Sequence, residues 1–129
     1  METAAKPKSY KDLLVWQKGL SLVTMVYELT KQFPPDERFG LVSQMRRAAV
    51  SVPSNIAEGQ ARRTTGEFVQ FISHAEGSLA ELETQTLISV DLRFTSLEHA
   101  QSILLPIEEL QRMLNRLRQK LATPLATRH

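Results

Sequence analysis

The chain has 129 residues, no cysteine and a formal net charge of +2. That length suits one domain with a sizeable core, and the missing cysteines exclude a disulfide framework, thiolate chemistry and cysteine-ligated zinc. Few glycines and prolines argue against a turn-rich β architecture, and no apolar run reaches the roughly 20 residues that span a bilayer.

The leading METAAKPKSYK has no apolar stretch and is no signal peptide, so a soluble, cytoplasmic protein is expected. The tails, roughly 1–10 and 123–129, are expected to lie outside the folded core. The first helix is expected over about 12–32. Leu13, Trp16, Leu20, Val23 and Tyr27 form one apolar row, and Val15, Leu22, Val26, Leu29 and Phe33 form a second beside it. Two rows predict a wide buried face. Phe33-Pro34-Pro35 ends the helix, because a residue before proline is driven out of the α region.

The second helix is expected over about 36–59, with Val42, Met45, Ala49, Val52 and Ile56 as its core stripe. A polar seam runs beside that stripe. Gln44, Arg47, Ser51, Ser54 and Glu58 recur at three- and four-residue steps and share one face. Arg46, Ala48, Ala49, Asn55, Ala57 and Gly59 lie among them, a mixture that suits close approach of another backbone. Pro53 removes a donor inside the helix and frees the Ala49 carbonyl. An interior proline costs about 3 kcal/mol unless the helix bends or the carbonyl finds a partner. Ser51, Ser54 and Asn55 lie close enough to help.

The third helix, about 65–92, opens with the capping box of Thr64 and Glu67. Its stripe is Phe68, Ile72, Ala75, Leu79, Leu82, Thr86 and Val90. The fourth, about 96–122, is expected to start at a second box, Thr95 with Glu98. Its stripe is Leu97, Ala100, Leu104, Ile107, Leu110, Leu114, Leu117 and Leu121, with a second interior proline at Pro106. Short connections between long helices predict an all-α, antiparallel up-down-up-down four-helix bundle in one domain spanning 1–129.

Charge is sorted by segment. Residues 38–63 carry five arginines and one glutamate; residues 64–92 carry five acids and no lysine or arginine. From Leu110 onward there are five basic residues and no acid. Such sorting predicts facing segments of opposite sign. With the turn between helices two and three centred near Arg62, Arg47 comes level with Glu76 and Gly77. The expected pairs are therefore Arg46 or Arg47 with Glu76, Glu81 or Glu83, within the subunit or across an interface. Gly77 and Ser78 are expected to let the helices approach.

The string RRAAVSVPSNIAEG at 46–59, followed by Phe68 and Phe71 and then EGSLAELETQ at 76–85, resembles the four-helix bundle family of 23S rRNA intervening-sequence proteins. DLLVWQKGLSLVTMVYELT at 12–30 and FPPDERFGLVSQ at 33–44 are similar to that family's first helix and the start of its second. The resemblance covers about residues 10–95. It implies a homo-oligomer, a ring of five bundles. It also implies similarity to the accessory variability determinant of diversity-generating retroelements, which binds nucleic acid and a reverse transcriptase through a basic surface. One departure stands out. The family has glycine before the aromatic that closes helix three, whereas here Arg93 precedes Phe94. A left-handed cap at a non-glycine residue costs about 1 kcal/mol.

Catalytic constellations are weak. His74, His99 and His129 belong to no Glu-x-x-His pair of a di-iron bundle. Ser51 and Ser54 lack a nucleophile elbow, and Gly59 to Gly66 lacks the lysine of a phosphate-binding loop. Neither enzyme activity nor a cofactor or metal is expected. Two functions stay open. The first is nucleic-acid binding, RNA or DNA, through Arg112, Arg116, Arg118, Lys120 and Arg128, with Lys6, Lys8 and Lys11 at the other end. Arg112, Arg116 and Lys120 step by four along one face, which also suits a solvated surface. The second is a protein-protein interaction scaffold using the seam. No aromatic stacking platform for single-strand bases is evident in the sequence.

Overall fold

The computed structural model describes residues 9–123. Lys6, Lys8, Pro124, Arg128 and His129 lie outside the described residues. Four helices account for most of the rest: α1 Leu14–Thr30, α2 Leu41–Gln60, α3 Thr65–Asp91 and α4 Leu97–Ala122, with 3-10 turns at Tyr10–Asp12 and Pro35–Glu37. No strand occurs among the described residues.

The apolar stripes build the core. Val42, Met45, Ala49, Val52 and Ile56 of α2 are all buried, as are Ile72, Ala75, Leu79 and Leu82 of α3. Ala100, Ile103, Leu104, Ile107, Leu110 and Leu114 supply the α4 side. Each large aliphatic side chain removed from water in this way contributes about 1.5–3 kcal/mol before entropy is counted. Contacts run in opposite order along successive helices. From Met45 to Gly59, α2 meets Ser89, then Ser78, then Phe71 on α3. Glu76 and Glu83 of α3 reach Arg118 and Gln111 of α4.

Several elements differ from expectation. The row Val15, Leu22, Val26, Leu29 with Phe33 is buried; of the other row Leu13, Trp16 and Val23 are partly buried against the core, while Leu20 and Tyr27 are exposed. On the buried side α1 and α2 approach closely: a Cβ on Gly19 would lie 3.3 Å from Pro53 Cβ. The α1 start moves to Leu14 because Ser9 Oγ caps a separate turn, accepting from Lys11 N at 3.1 Å. Leu13 is then extended, at φ −79° and ψ 126°.

The α2 start moves to Leu41, since Pro34 and Pro35 open their own turn. Glu37 Oε1 accepts from Leu41 N at 3.1 Å, placing a carboxylate at the positive end of the helix. The capping box of Thr64 and Glu67 is present at α3. The second box is not: Ser96, not Thr95, caps α4, accepting from His99 N at 3.0 Å. Glu98 therefore sits one residue out of register for the reciprocal bond.

The end of α3 forms a left-handed cap without a glycine. Arg93 has φ 65°. Phe94 N donates to Ser89 O at 2.9 Å and Arg93 N to Val90 O at 3.0 Å, the paired bonds of a Schellman motif. Phe94 then packs on Phe33, with ring centroids 5.7 Å apart. Replacing Arg93 by glycine removes the left-handed penalty, so Arg93→Gly should raise stability by about 1 kcal/mol. That is a rise in melting temperature of about 3–5 °C by calorimetry; an unchanged or lower value would refute it.

Candidate interaction surfaces

The polar seam of α2 splits three ways. Arg46 turns toward α1. Its Nε donates to Thr30 Oγ1 at 2.9 Å and its Nη2 to Tyr27 O at 3.3 Å, with the guanidinium carbon 4.4 Å from the Tyr27 ring centroid. It thereby caps the Tyr27 carbonyl near the negative end of α1. Ser51 turns toward α3, where its hydroxyl lies 2.6 Å from Ser78 Oγ and 2.7 Å from Ala48 O. Ser54 donates to Val50 O and Asn55 to Ser51 O, so both serve backbone carbonyls flanking Pro53. Gln44, Arg47 and Glu58 face outward. Arg47 Nη2 donates only to Ser43 Oγ, at 3.4 Å, and Glu58 pairs with Arg62 at 3.2 Å.

The expected pairing of Arg46 or Arg47 with the acidic helix does not occur within the chain. Glu76 instead binds Arg118 Nε at 2.6 Å, and Glu83 accepts from Gln111 Nε2 at 3.3 Å. Seven residues apart, the two glutamates share the α4-facing side of α3, whereas Phe71 and Ser78 face α2. The register also differs. The loop at Ala61–Thr64 follows Gln60, which moves the turn centre toward α3. Arg47 therefore comes level with residues near Leu82, and Arg47 and Glu81 border one groove without an ion pair. Close approach occurs at Ser78 and Gly59, while Gly77 faces open space.

One concave surface was not legible in the sequence. Tyr27, Phe39, Val50, Arg38, Arg46 and Arg47 line an open cleft of about 610 Å³ along the outer side of α2. Phe39 is 88% exposed, with the Arg38 guanidinium 5.5 Å from its ring centroid. Aromatic rings and arginines from three separate segments thus converge. The one local signal was an aromatic in the polar turn Arg38-Phe39-Gly40.

On α4, Arg112, Arg116 and Lys120 are exposed and make no ion pair or hydrogen bond among the described residues. Arg118, half-buried, is taken by Glu76 and so is not free for a ligand. Upstream, Glu109 pairs with Lys18 of α1 at 3.3 Å. Among the described residues no three metal-ligating side chains converge, and no helix is long and apolar enough to cross a membrane.

The model of the 23S rRNA-intervening sequence protein family matches residues 11–116. The chain belongs to that family. The match takes in α1, α2, α3 and α4 as far as Arg116, so the seam, the cleft and two of the three free α4 cations fall inside it. A solved structure shares the fold: a protein of unknown function of the S23 ribosomal protein family from Bacteroides thetaiotaomicron VPI-5482. Its TM-score is 0.74 at 18% identity, over 85% of this chain and 100% of that one. No curated protein matches.

Proposed function

We propose that this member of the 23S rRNA-intervening sequence protein family is a non-enzymatic, cytoplasmic, antiparallel up-down-up-down bundle. It assembles with copies of itself into a ring and holds nucleic-acid backbones, RNA or DNA, on the outer face of α4. The observation that carries the binding site is the row Arg112, Arg116 and Lys120, exposed and unpaired. Neighbouring cations are neutralised, Lys18 by Glu109 and Arg118 by Glu76. A row of free cations neutralises phosphates without reading sequence, and repetition around a ring multiplies the effect.

The test is binding of labelled RNA and DNA of mixed sequence, measured against salt. Binding should weaken steeply with salt, and Arg112→Ala, Arg116→Ala and Lys120→Ala together should cut the slope of log K against log salt by about 2–3. No binding at low salt, or an unchanged slope in the triple variant, overturns it. The second reading is a protein-protein scaffold, with a reverse transcriptase as the partner implied by the retroelement resemblance. The exposed Phe39 in its arginine-lined cleft favours that reading.

A further inference from the structure

We infer that the cleft on the outer side of α2 is the socket for the outer face of α3 on a second copy of this chain. This rests on the self-assembly proposed above and names the two faces that meet. The socket supplies positive charge and apolar surface. Arg38 and Arg47 line it without an ion pair, no carboxylate is among its lining residues, and Phe39 and Val50 are exposed there at 88% and 41%.

The outer face of α3 has the complementary character. Glu81 and Asp91 are exposed and make no ion pair among the described residues. Leu87, Ile88 and Leu92 are exposed beside them at 46%, 41% and 55%. Residues 64–92 contain no lysine or arginine to oppose the socket. Within the chain Arg47 and Glu81 border one groove without pairing, and the acids of α3 that do bond across helices, Glu76 and Glu83, face α4.

The two faces also lie at the same height. The contacts of Ser51 with Ser78 and Met45 with Ser89 set residues 38–51 of α2 level with the C-terminal half of α3. Two copies standing side by side with parallel axes therefore bring the socket level with Glu81 through Leu92. The contact is heterologous, one face to a different face. The outer sides of neighbouring helices in a four-helix bundle point roughly a quarter turn apart. Repetition of such a contact closes a ring after about four or five copies instead of growing a filament.

Charge exchange between copies tests this. The wild type should scatter light as an oligomer. Arg47→Glu and Glu81→Arg, each alone, should fall to the mass of one chain, 14.6 kDa, while circular dichroism shows an unchanged helix content. Mixing the two variants should restore association, because Glu at 47 then meets Arg at 81 and Arg47 meets Glu81 wherever the variants alternate; an even ring is matched throughout, and a ring of five keeps one mismatched junction. A pair formed inside one chain cannot give that rescue. Arg38→Glu mixed with Asp91→Arg is a second pair read in the same way. A monomeric wild type overturns the self-assembly itself. An oligomeric wild type whose mass survives every single variant, or mixtures that restore nothing, overturns only this assignment of faces.

Discussion

Gly59→Ala should destabilise the fold by about 1–2 kcal/mol net, although alanine is the better helix former. A Cβ built on Gly59 lies 2.5 Å from Phe71 Cβ, 3.1 Å from Phe68 Cδ1 and 3.3 Å from Phe71 Cγ. The first of these atoms is fixed by the α3 backbone, so no rotamer change relieves the clash. The two helices must move apart, or α3 must shift along α2, loosening the contact of Ser51 with Ser78 one segment further on. Overpacking of this kind costs typically 1–3 kcal/mol. The gain from replacing a helical glycine offsets only about 0.5–1 kcal/mol. The readout is the urea midpoint at unchanged slope. Gly77→Ala is the internal control. Nothing lies within 4 Å of a Cβ built there, so the same substitution should stabilise an isolated subunit by about 0.5–1 kcal/mol. Equal effects at the two positions would refute the argument.

The sequence made the helices legible because their stripes are periodic and their starts carry chemistry. Val42 to Ile56 repeats at helical spacing, and Thr64 with Glu67 marks an N-terminus by a reciprocal bond that needs only local geometry. Failures came where two local candidates compete or where a third segment decides. Thr95 and Ser96 both cap well, and the turn after Arg93 selects Ser96. The other apolar row of α1 has the right period, but only Leu13, Trp16 and Val23 of it pack against the core, while Leu20 and Tyr27 stay exposed. Charge sorting correctly indicated that α3 needs a basic counterpart. Within the chain the counterpart of Glu76 is Arg118, not Arg46 or Arg47, because which side of α3 carries Glu76 follows from the packing of all four helices.

The seam illustrates the same division. Its mixture of small and polar residues signals close approach of another element, and α3 comes close at Ser51 and Gly59. The role of Arg46 was hidden, since it depends on the end of α1 lying beside it. The cleft was hidden more completely. Tyr27, Phe39 and Val50 come from α1, a turn and α2, and no spacing rule relates residues in three elements.

Gln85→Met should stabilise the subunit by about 1–2 kcal/mol and at the same time weaken its self-association. Gln85 is 5% exposed, its Nε2 donates to Glu81 Oε2 at 3.2 Å, and its Oε1 is buried without a partner. Turning the amide over would set its oxygen against the Glu81 carboxylate, acceptor against acceptor, so the orientation is fixed. A buried acceptor left unsatisfied costs about 1–3 kcal/mol. Methionine fills nearly the same volume with no such group, and the exposed Glu81 regains water where it loses the amide. The subunit therefore gains, measured as a higher urea midpoint at a dilution where unfolding no longer depends on concentration. What the amide supplies is aim. It holds the Glu81 carboxylate on the outer face of α3, where the socket of the next copy would meet it. Losing that aim should lower the concentration-dependent part of stability while raising the rest. A variant less stable than the wild type at high dilution would show that Gln85 Oε1 is satisfied after all. One that is more stable yet assembles as tightly would show that the aim of Glu81 contributes nothing to the interface.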